Sequence, residues 1–317
     1  MAEAAMTPVP PPTSHALTVD LEDWHQLLHR RVTGETIPPT RAVVEATHAL
    51  LALLDEAGVR ATFFVVGSVA DAYPGLVREV AARGHEIGSH TYGHELIYRL
   101  EPRAFKADLE RSRAQLQELT GQPVLGFRAP EFSVGSLGHW SFEVIAEAGF
   151  RYDSSVFPMP GARYGIPDAP RHPFAIETPG GTLHEFPLAT WDVGRLRLPV
   201  AGGSYFRLLP TALLRRALRD GEAAGRIAVL YFHPYEFSRR RLSLAGLSWR
   251  QRLRPAHLKL SVLHNAGTGL IGWRLRSLLA EFAFGPLGDT HARSVVEAGA
   301  PTPPVLARAG ISAGREE

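Results

Sequence analysis

Residues 16–26 have the sequence ALTVDLEDWHQ, which combines the signal of a buried strand with a cluster of acids. Residues 16–19 are apolar or β-branched, which is typical of a strand inside a sheet. Asp20, Glu22 and Asp23 follow at once. Carboxylates at the end of an apolar strand are costly unless they are paired or bind a cation. The stretch therefore predicts a core strand that ends in a chemical site.

Short apolar runs alternate with amphipathic helical patterns beyond this stretch. Further strands are predicted at residues 61–66, 85–88, 124–127, 150–152 and 227–232. Helices are predicted at residues 40–56, 69–82, 102–119, 140–148 and 210–223. This alternation indicates βαβ units, and hence a mainly parallel sheet or barrel that helices cover.

Polar clusters occur where these predicted strands end. They lie at residues 89–94, 128–130, 153–155 and 233–236, in addition to the acids after the first strand. Because the carboxyl ends of parallel strands share one edge of a sheet or barrel, we expect the clusters to converge. The convergence predicts a single active site.

The chain of 317 residues contains no cysteine, so any metal ion must bind to His, Asp or Glu. His90 and His94 are four residues apart, and on one helical turn their rings would face the same way. With a carboxylate from the first strand they predict a site of two histidines and one carboxylate with open positions for water and substrate. By itself, the pair could also be two surface or capping histidines.

Several short motifs resemble those of the polysaccharide deacetylases, the NodB-homology family also called carbohydrate esterase family 4. They are LTVDLEDWHQ, SHTYGH, FRAPEFS, YDSSVFP, GGSYFRLLP and LYFHPYE, all between residues 17 and 237. These forms are similar to the branch found in bacterial exopolysaccharide loci, which is associated with PEP-CTERM and exosortase systems. The resemblance implies an α/β fold of the irregular (β/α)7 barrel type.

The resemblance also assigns catalytic roles to individual residues. Asp20 matches the general base, and Arg128 matches the arginine that pairs with this base. His233 matches the general acid. Asp153 falls where the family places an acid that tunes this histidine.

His90 and His94 match the metal-binding motif of the family, and the third ligand is open between Glu22 and Asp23. The family usually has two adjacent Asp residues, whereas this chain has Asp-x-Glu-Asp. Strand alternation places Glu22 on the same side as Asp20. Asp23 has the usual side-chain type and can turn inward once the strand has ended, so it is slightly favoured. The expected ion is Zn²⁺, with Co²⁺ and Ni²⁺ as alternatives.

The implied reaction is hydrolysis of the N-acetyl amide of an N-acetylhexosamine, in a polysaccharide or a lipid-linked saccharide, with release of acetate. The residues expected to contact this N-acetylated saccharide are Trp24, His25, Pro130, Phe132 and Tyr205. Trp24 and His25 could instead pack at the rim of the barrel. Phe132 stands where the family often has a tyrosine, so the hydroxyl group of that residue is missing.

Two other functions are compatible with the motifs. The Asp-x-Glu spacing is shared with relatives that hydrolyse non-sugar linear or cyclic amides, such as allantoinase- and imidase-like enzymes. A catalytically silent carbohydrate-binding relative is the other alternative. The full set of base, acid, arginine and metal ligands argues against a silent protein.

Composition divides the chain into four predicted segments. Residues 1–15 are a disordered leader, 16–237 the deacetylase domain, 238–284 a basic amphipathic helical extension, and 285–317 a disordered tail rich in Gly, Ala and Pro. Between residues 237 and 280 there are nine arginines or lysines and no acid. Because apolar residues and tryptophans interleave with these charges, the extension could contact an anionic membrane through residues 238–280. The alternative is a solvated helical face that packs on the barrel.

The leader has neither the positive region nor the apolar region of a secretory signal, and no apolar run is long enough to span a bilayer. We therefore expect a cytoplasmic protein, or one that is peripheral at the inner face of the membrane. The formal net charge of +2 excludes a uniformly basic protein, and no nucleic acid partner is expected.

Overall fold

The computed structural model of the protein describes residues 14–136, 139–161, 164–238, 241–244 and 246–297. The strands are β1 (His15–Leu21), β2 (Thr62–Val65), β3 (Glu86–Ser89), β4 (Gly126–Phe127), β5 (Tyr152–Asp153), β6 (Phe174–Thr178), β7 (Gly181–Glu185), β8 (Thr190–Val193), β9 (Leu196–Pro199), β10 (Val229–Phe232) and β11 (Phe284–Gly285). The helices are α1 (Trp24–Thr33), α2 (Ala42–Ala57), α3 (Gly67–Ala72), α4 (Pro74–Ala82), α5 (Pro102–Thr120), α6 (Ser141–Glu147), α7 (Gly203–Leu208), α8 (Thr211–Ala223), α9 (Trp249–Arg252), α10 (Pro255–Asn265), α11 (Thr268–Leu279) and α12 (Leu287–Glu297).

The main sheet has the order β10-β1-β2-β3-β4-β5-β7-β6, and β11 also pairs with β1. Every pair in it is parallel except β6 with β7. The predicted α/β fold with a mainly parallel sheet is therefore confirmed. β8 and β9 form a separate antiparallel hairpin.

The predicted irregular (β/α)7 barrel is not closed in the part of the chain that the structure describes. The strand ladders end at β10 on one side and at β6 on the other, and beyond β10 the described residues add only an isolated parallel bridge between Gly202 and Tyr231 and single backbone hydrogen bonds. The physical reason is the β6–β7 hairpin. β7 continues the parallel order beside β5, but β6 turns back antiparallel and occupies the edge that closure would need.

The central strands are buried on two faces. Leu17 and Phe63 belong to one apolar cluster, whereas their neighbours Ala16 and Phe64 belong to another. Since side chains alternate along a strand, each cluster lies on one face of the sheet. This double burial explains why the sequences of β1 and β2 are almost continuously apolar.

The single helix predicted over residues 69–82 is wrong, because the structure has two helices there. Tyr73 separates α3 from α4 with φ −135° and ψ 60°. Pro74 follows it, and a proline disfavours the helical region for the residue before it. The same proline then provides a favourable first residue for α4.

The predicted disordered tail begins too early. β11 pairs in parallel with β1, and α12 covers residues that were expected to have no structure. The backbone N–H of Leu287 donates to Thr62 Oγ1 at 2.7 Å, which fixes the start of α12 against β2. Residues 1–13 and 298–317, which carry the remaining predictions of disorder, lie outside the described residues.

The basic extension is helical, as predicted, and consists of α9, α10 and α11. Arg274 and Leu275 of α11 are buried, so this helix is anchored in the domain. No helix in the described part of the chain has the length and apolar character that crossing a membrane requires.

Candidate metal centre and active site

Asp20 and Arg128 form a buried ion pair at the carboxyl end of the sheet. Asp20 is the penultimate residue of β1, and Arg128 follows β4 directly. Arg128 Nη1 donates to Asp20 Oδ1 at 2.9 Å and to Thr18 Oγ1 at 2.6 Å. Its other nitrogens bind Ser154 through the carbonyl and hydroxyl oxygens. The contact expected from sequence is present, but through one nitrogen rather than through a bidentate fork.

The surroundings of Asp20 favour its ionised form. Burial opposes ionisation, but the charge of Arg128, the charges that His90 and His233 carry at the low pH where Asp20 titrates, and the Arg128 hydrogen bond outweigh it. The pKa of Asp20 therefore lies below its usual value. A carboxylate that stays charged in a buried site can accept a proton.

His90 is oriented by the backbone of the neighbouring strand connection. Its Nδ1 lies 2.8 Å from the carbonyl oxygen of Arg128, so Nδ1 carries the proton and donates it. This tautomer leaves a lone pair on Nε2. A carbonyl that holds the far nitrogen of an imidazole is the usual support of a metal-binding histidine.

Glu22, His90 and His94 form a compact cluster of potential metal ligands. Their ligand atoms all lie within 4.8 Å of one another, and all three residues are buried. Glu22 Oε2 is 2.5 Å from His94 Nε2, and the two imidazole rings are 4.9 Å apart. The predicted set of two histidines and one carboxylate is thus assembled in space.

The two histidines lie on a loop and not on the helical turn that the sequence suggested. Thr91 and His94 have φ values of 64° and 57°, in the left-handed region. Asp108 holds the loop by accepting the backbone N–H groups of Tyr92 at 2.7 Å and Gly93 at 3.0 Å. Strained residues of this kind cluster at functional sites, where the surroundings enforce the conformation.

The protonation states suit a divalent cation. Burial lowers the pKa of His90 to about 4 and that of His94 to about 3, so both rings are neutral at pH 7. Neutral imidazoles and an ionised carboxylate are the forms in which these side chains bind metals. Two nitrogens and one oxygen leave a fourth position open, as in catalytic zinc sites.

The contact with Arg30 determines which tautomer His94 adopts without a cation. Arg30 Nη2 contacts Nδ1 of His94, and since arginine only donates, the proton of the neutral ring lies on Nε2. Binding a cation at Nε2 requires this proton to move to Nδ1. Arg30 would then rely on its other acceptors, the Gly93 carbonyl at 3.0 Å and Glu95 at 3.4 Å.

Asp23, the slightly favoured third ligand, is not part of the cluster. Its carboxylate accepts the backbone N–H of His25 at 3.3 Å and that of Thr40 at 2.6 Å. It therefore caps the N-terminus of α1, a position at which Asp is strongly preferred. Glu22 occupies the place predicted for Asp23.

His233 has a different acidic partner from the one predicted. Its Nδ1 is 3.3 Å from Glu236 Oε2, and its Nε2 is 3.5 Å from Glu22 Oε1. Glu236 is itself paired with the buried guanidinium of Arg207. The ring of Tyr235 stacks on that of His233 with centroids 4.8 Å apart. Burial lowers the pKa of His233 to about 4, which leaves this imidazole neutral at pH 7.

Asp153, the acid predicted to tune His233, is buried beside a second acid. Asp153 is in register with Glu185 across the parallel pair β5–β7. The two carboxyl groups hydrogen-bond each other, which requires one of them to hold a proton. Burial raises the pKa of both groups, and the charge of Asp153 raises that of Glu185 further. The two acids therefore interact with each other, whereas the acids in contact with His233 are Glu22 and Glu236.

This acid pair makes stability depend on pH. We expect Glu185→Gln to stabilise the protein by about 1–3 kcal/mol at about pH 8 and by less at about pH 5. The folded-state pKa values lie above the unfolded values of about 4, so the folded protein holds protons that the unfolded chain releases. Stability is consequently lost as pH rises through this window. Chemical unfolding at several pH values measures the effect.

Glu177→Gln is the matched control for this change, because it replaces an exposed carboxylate on the neighbouring strand β6. We expect it to shift stability by less than about 0.5 kcal/mol at every pH. A Glu185→Gln effect that does not depend on pH would show that the pair carries no ionisation penalty.

A cavity of about 390 Å³ holds the candidate chemistry. Asp20, Glu22, His90 and His233 line it, together with the saccharide candidates Phe132 and Tyr205. The Gly202–Gly203 segment also lines it, and a Cβ at Gly202 would overlap the carbonyl oxygen of Tyr231. The absence of a side chain at Gly202 is thus required for this wall.

The remaining saccharide candidates lie outside that lining. Trp24 is 1% exposed and packs between Tyr235 and His264, in agreement with the alternative of packing at the rim, and it also lines a neighbouring cavity. His25 lines the same cavity, which has a volume of about 530 Å³. Pro130 is buried. A sugar that contacts these three residues, as predicted, would have to extend beyond the cavity that contains Asp20 and His233.

Sequence reasoning missed Glu236 and Arg207 as supports of His233. Glu236 lies three residues after His233, a spacing that brings its side chain back to the histidine backbone N–H at 2.9 Å. Arg207 lies in the GGSYFRLLP motif and in the helix α7. The spacing could have identified Glu236, but the Arg207 contact depends on the fold.

Two family models match consecutive parts of the chain. Residues 33–152 match the model described as polysaccharide deacetylase, and residues 154–291 match one described as a domain of unknown function, DUF3473. The first match contains His90, His94 and Arg128. The second contains His233, and Asp153 falls between the two matched ranges.

Curated relatives include three deacetylases. The chain is 35% identical to the chitooligosaccharide deacetylase of Sinorhizobium fredii over 38% of its length, 33% identical to the chitin deacetylase of Pestalotiopsis sp. over 33%, and 31% identical to the peptidoglycan-N-acetylglucosamine deacetylase of Bacillus cereus over 27%. The matches span 55%, 39% and 32% of these relatives' own lengths.

Solved structures share the fold over most of the chain. One is a Mycobacterium smegmatis protein assigned to the polysaccharide deacetylases by name only, with a TM-score of 0.60, 22% identity and coverage of 96% of this chain and 98% of that one. Another is Puue allantoinase, with a TM-score of 0.59, 14% identity and coverage of 91% of each chain. Residues 33–152 of this chain are thus similar to the polysaccharide deacetylases, and the solved structures support the α/β fold alone.

Proposed function

We propose that the protein hydrolyses the N-acetyl amide of an N-acetylhexosamine in a polysaccharide or lipid-linked saccharide and releases acetate. The observation that carries this proposal is one cavity lined by Asp20, His233 and the potential ligands Glu22 and His90. The names of the curated relatives, which act on chitin, chitooligosaccharide or peptidoglycan, support this substrate class.

The proposal includes a divalent cation, Zn²⁺ first and Co²⁺ or Ni²⁺ as alternatives. Glu22, His90 and His94 would hold it, since they are the described residues that offer a compact ligand set. Such a cation polarises a carbonyl group and lowers the pKa of bound water.

Asp20 and His233 divide the proton transfers between them. Asp20 is the base: Arg128 keeps its carboxylate ionised, so it can take a proton from the attacking water. His233 delivers a proton from Nε2 to the leaving nitrogen. Because its pKa of about 4 makes it neutral at rest, Nε2 must first take up a proton from solvent, and this uptake is balanced when Asp20 returns to solvent the proton that it removed from the attacking water. Glu236 holds Nδ1 and thereby fixes the direction of Nε2.

A second candidate is hydrolysis of a non-sugar linear or cyclic amide. The observation that favours it is that Glu22, and not Asp23, joins the histidines. The Asp-x-Glu spacing is thus the spacing used in the site.

We place the chain in the exopolysaccharide-locus branch as a further proposal, on the YDSSVFP and GGSYFRLLP motifs.

Acetate release from chitooligosaccharides, with and without a chelator, tests the proposed function. We expect release that the chelator removes, that added Zn²⁺ restores, and that Asp20→Asn lowers about a hundredfold or more. Allantoin and hydantoin serve as competing substrates. Turnover of these two without acetate release would favour the second candidate, and binding of saccharide without any turnover would favour a silent relative.

A further inference from the structure

We propose that α9, α10 and α11 form a docking surface for an anionic lipid bilayer, here called the docking face. It comprises the exposed side chains of residues 249–273. Binding of the docking face to a bilayer does not depend on the proposed function. Only the class of substrate that we infer from the docking face rests on that function.

The docking face exposes an unusual amount of apolar surface. Its exposed apolar residues, with their exposed fractions, are Trp249 (67%), Leu253 (63%), Leu258 (45%), Val262 (67%), Leu263 (40%), Leu270 (52%) and Trp273 (60%). Single exposed apolar residues are ordinary, but a concentration within three consecutive helices marks an interaction site. Tryptophans are especially favoured at the boundary between water and lipid.

The apolar residues of α10 that point to solvent are not needed for packing. Leu258 and Val262 are four residues apart and lie on one side of the helix. Leu260 lies on the other side, packs against the cluster around Trp24, and lines the active-site cavity. In α11, the buried residues Ile271 and Leu275 anchor the helix, whereas Trp273 points outward.

The charge of the docking face indicates which kind of partner binds there. Residues 249–273 contain four arginines or lysines and no acid. Arg250, Arg252, Arg254 and Lys259 are exposed beside the apolar side chains. A basic and apolar surface complements an anionic bilayer, because phosphate groups attract the cations and acyl chains accept the apolar residues. Nucleic acid would use the cations but leave the leucines and Val262 without a partner.

The docking face borders the mouth of the active-site cavity. Leu263 and Tyr205 are 40% and 47% exposed, and both line this cavity. Arg207 joins the two parts, since Nε donates to the Ala266 carbonyl at 3.1 Å and Nη2 to the Leu263 carbonyl at 3.2 Å. A protein bound through this face would open its cavity toward the bilayer. The substrate class that fits is an N-acetylated saccharide on a lipid carrier.

Co-sedimentation of the full chain with vesicles tests the docking face. We expect binding to vesicles of phosphatidylcholine with phosphatidylglycerol, and about tenfold or more weaker binding to phosphatidylcholine alone. Leu258→Glu with Val262→Glu, and separately Arg250→Glu with Arg254→Glu, should each weaken binding to the anionic vesicles about tenfold or more. None of these four residues lines the active-site cavity.

Matched controls lie on other surfaces of the molecule. Leu196→Glu changes a side chain that is 60% exposed in the β8–β9 hairpin, and Arg103→Glu changes an exposed arginine of α5. Both should bind vesicles as the wild type does. Equal binding to the two vesicle types overturns the proposal. Binding that is lost with the arginine pair but unchanged in Leu258→Glu/Val262→Glu also overturns it, and points to a polyanion in place of a bilayer.

The activity of the same variants separates this proposal from the proposed function. We expect Leu258→Glu/Val262→Glu to release acetate from soluble chitooligosaccharides at the wild-type rate, but from a vesicle-borne N-acetylhexosamine lipid about tenfold more slowly. Equal rates on the vesicle-borne substrate overturn the substrate class. If the wild type releases no acetate from either substrate, the proposed function fails, while vesicle binding decides the docking face by itself.

Discussion

Glu22→Gln is expected to lose the divalent cation and to lower kcat/KM for acetate release by about a thousandfold. Glu22 supplies the single carboxylate oxygen of the ligand cluster, 2.5 Å from His94 Nε2. A glutamine has the same shape but neither the negative charge nor the affinity of a carboxylate for a cation. Isothermal titration with Zn²⁺ and elemental analysis of the dialysed protein measure the loss directly.

Asp23→Asn is the control that makes this test selective. Asn and Asp are similarly good at the N-cap, so the variant should keep α1 and change stability by less than about 1 kcal/mol. We expect it to bind Zn²⁺ and to release acetate like the wild type. The reverse pattern, with loss in Asp23→Asn and retention in Glu22→Gln, would show that Asp23 turns inward when a cation binds.

The part of the site that could be predicted from sequence is the part that depends on strand ends. Asp20, His90 and Arg128 directly follow or end apolar runs, and parallel pairing brings such positions to one edge. The register of four strands then places these side chains together. Local patterns are sufficient here because each strand carries its polar residue at the same end.

The choice between Glu22 and Asp23 shows where local patterns fail. Alternation along β1 correctly favours Glu22, but the preference for the usual side-chain type outweighed it. Asp23 immediately precedes α1, and an acid in that position is itself a signal of a helix N-cap. Giving more weight to this signal would have resolved the ambiguity in favour of Glu22.

The partner of His233 could not be derived in the same way. Asp153 lies beside Glu185 of β7. The sequence around β7 is rich in Pro and Gly, so its pattern does not define a strand clearly. The open edge at β6 and the pairing of β11 with β1 likewise depend on contacts between distant residues. Propensity and periodicity do not report such contacts, and only the assembled fold decides them.

His233→Ala is expected to lower kcat by about a hundredfold or more and to change KM little. The amine that leaves is a poor leaving group without a proton, and His233 lines the cavity with its Nε2 3.5 Å from Glu22 Oε1. Kinetics of acetate release measure the split between kcat and KM. Zinc titration of the same variant checks that Glu22, 3.5 Å from the ring, still binds the cation.

Two further variants decide which acid supports this histidine. Glu236→Gln should lower kcat about tenfold, because Glu236 contacts both Nδ1 and the backbone N–H of His233. Asp153→Asn should leave kcat near the wild-type value, since this acid lies beside Glu185. A fall in kcat for Asp153→Asn that equals the fall for Glu236→Gln would restore the role that the family resemblance gave to Asp153. Wild-type kcat in His233→Ala would remove this residue from the proton path, because no repositioning of a neighbour replaces a missing imidazole.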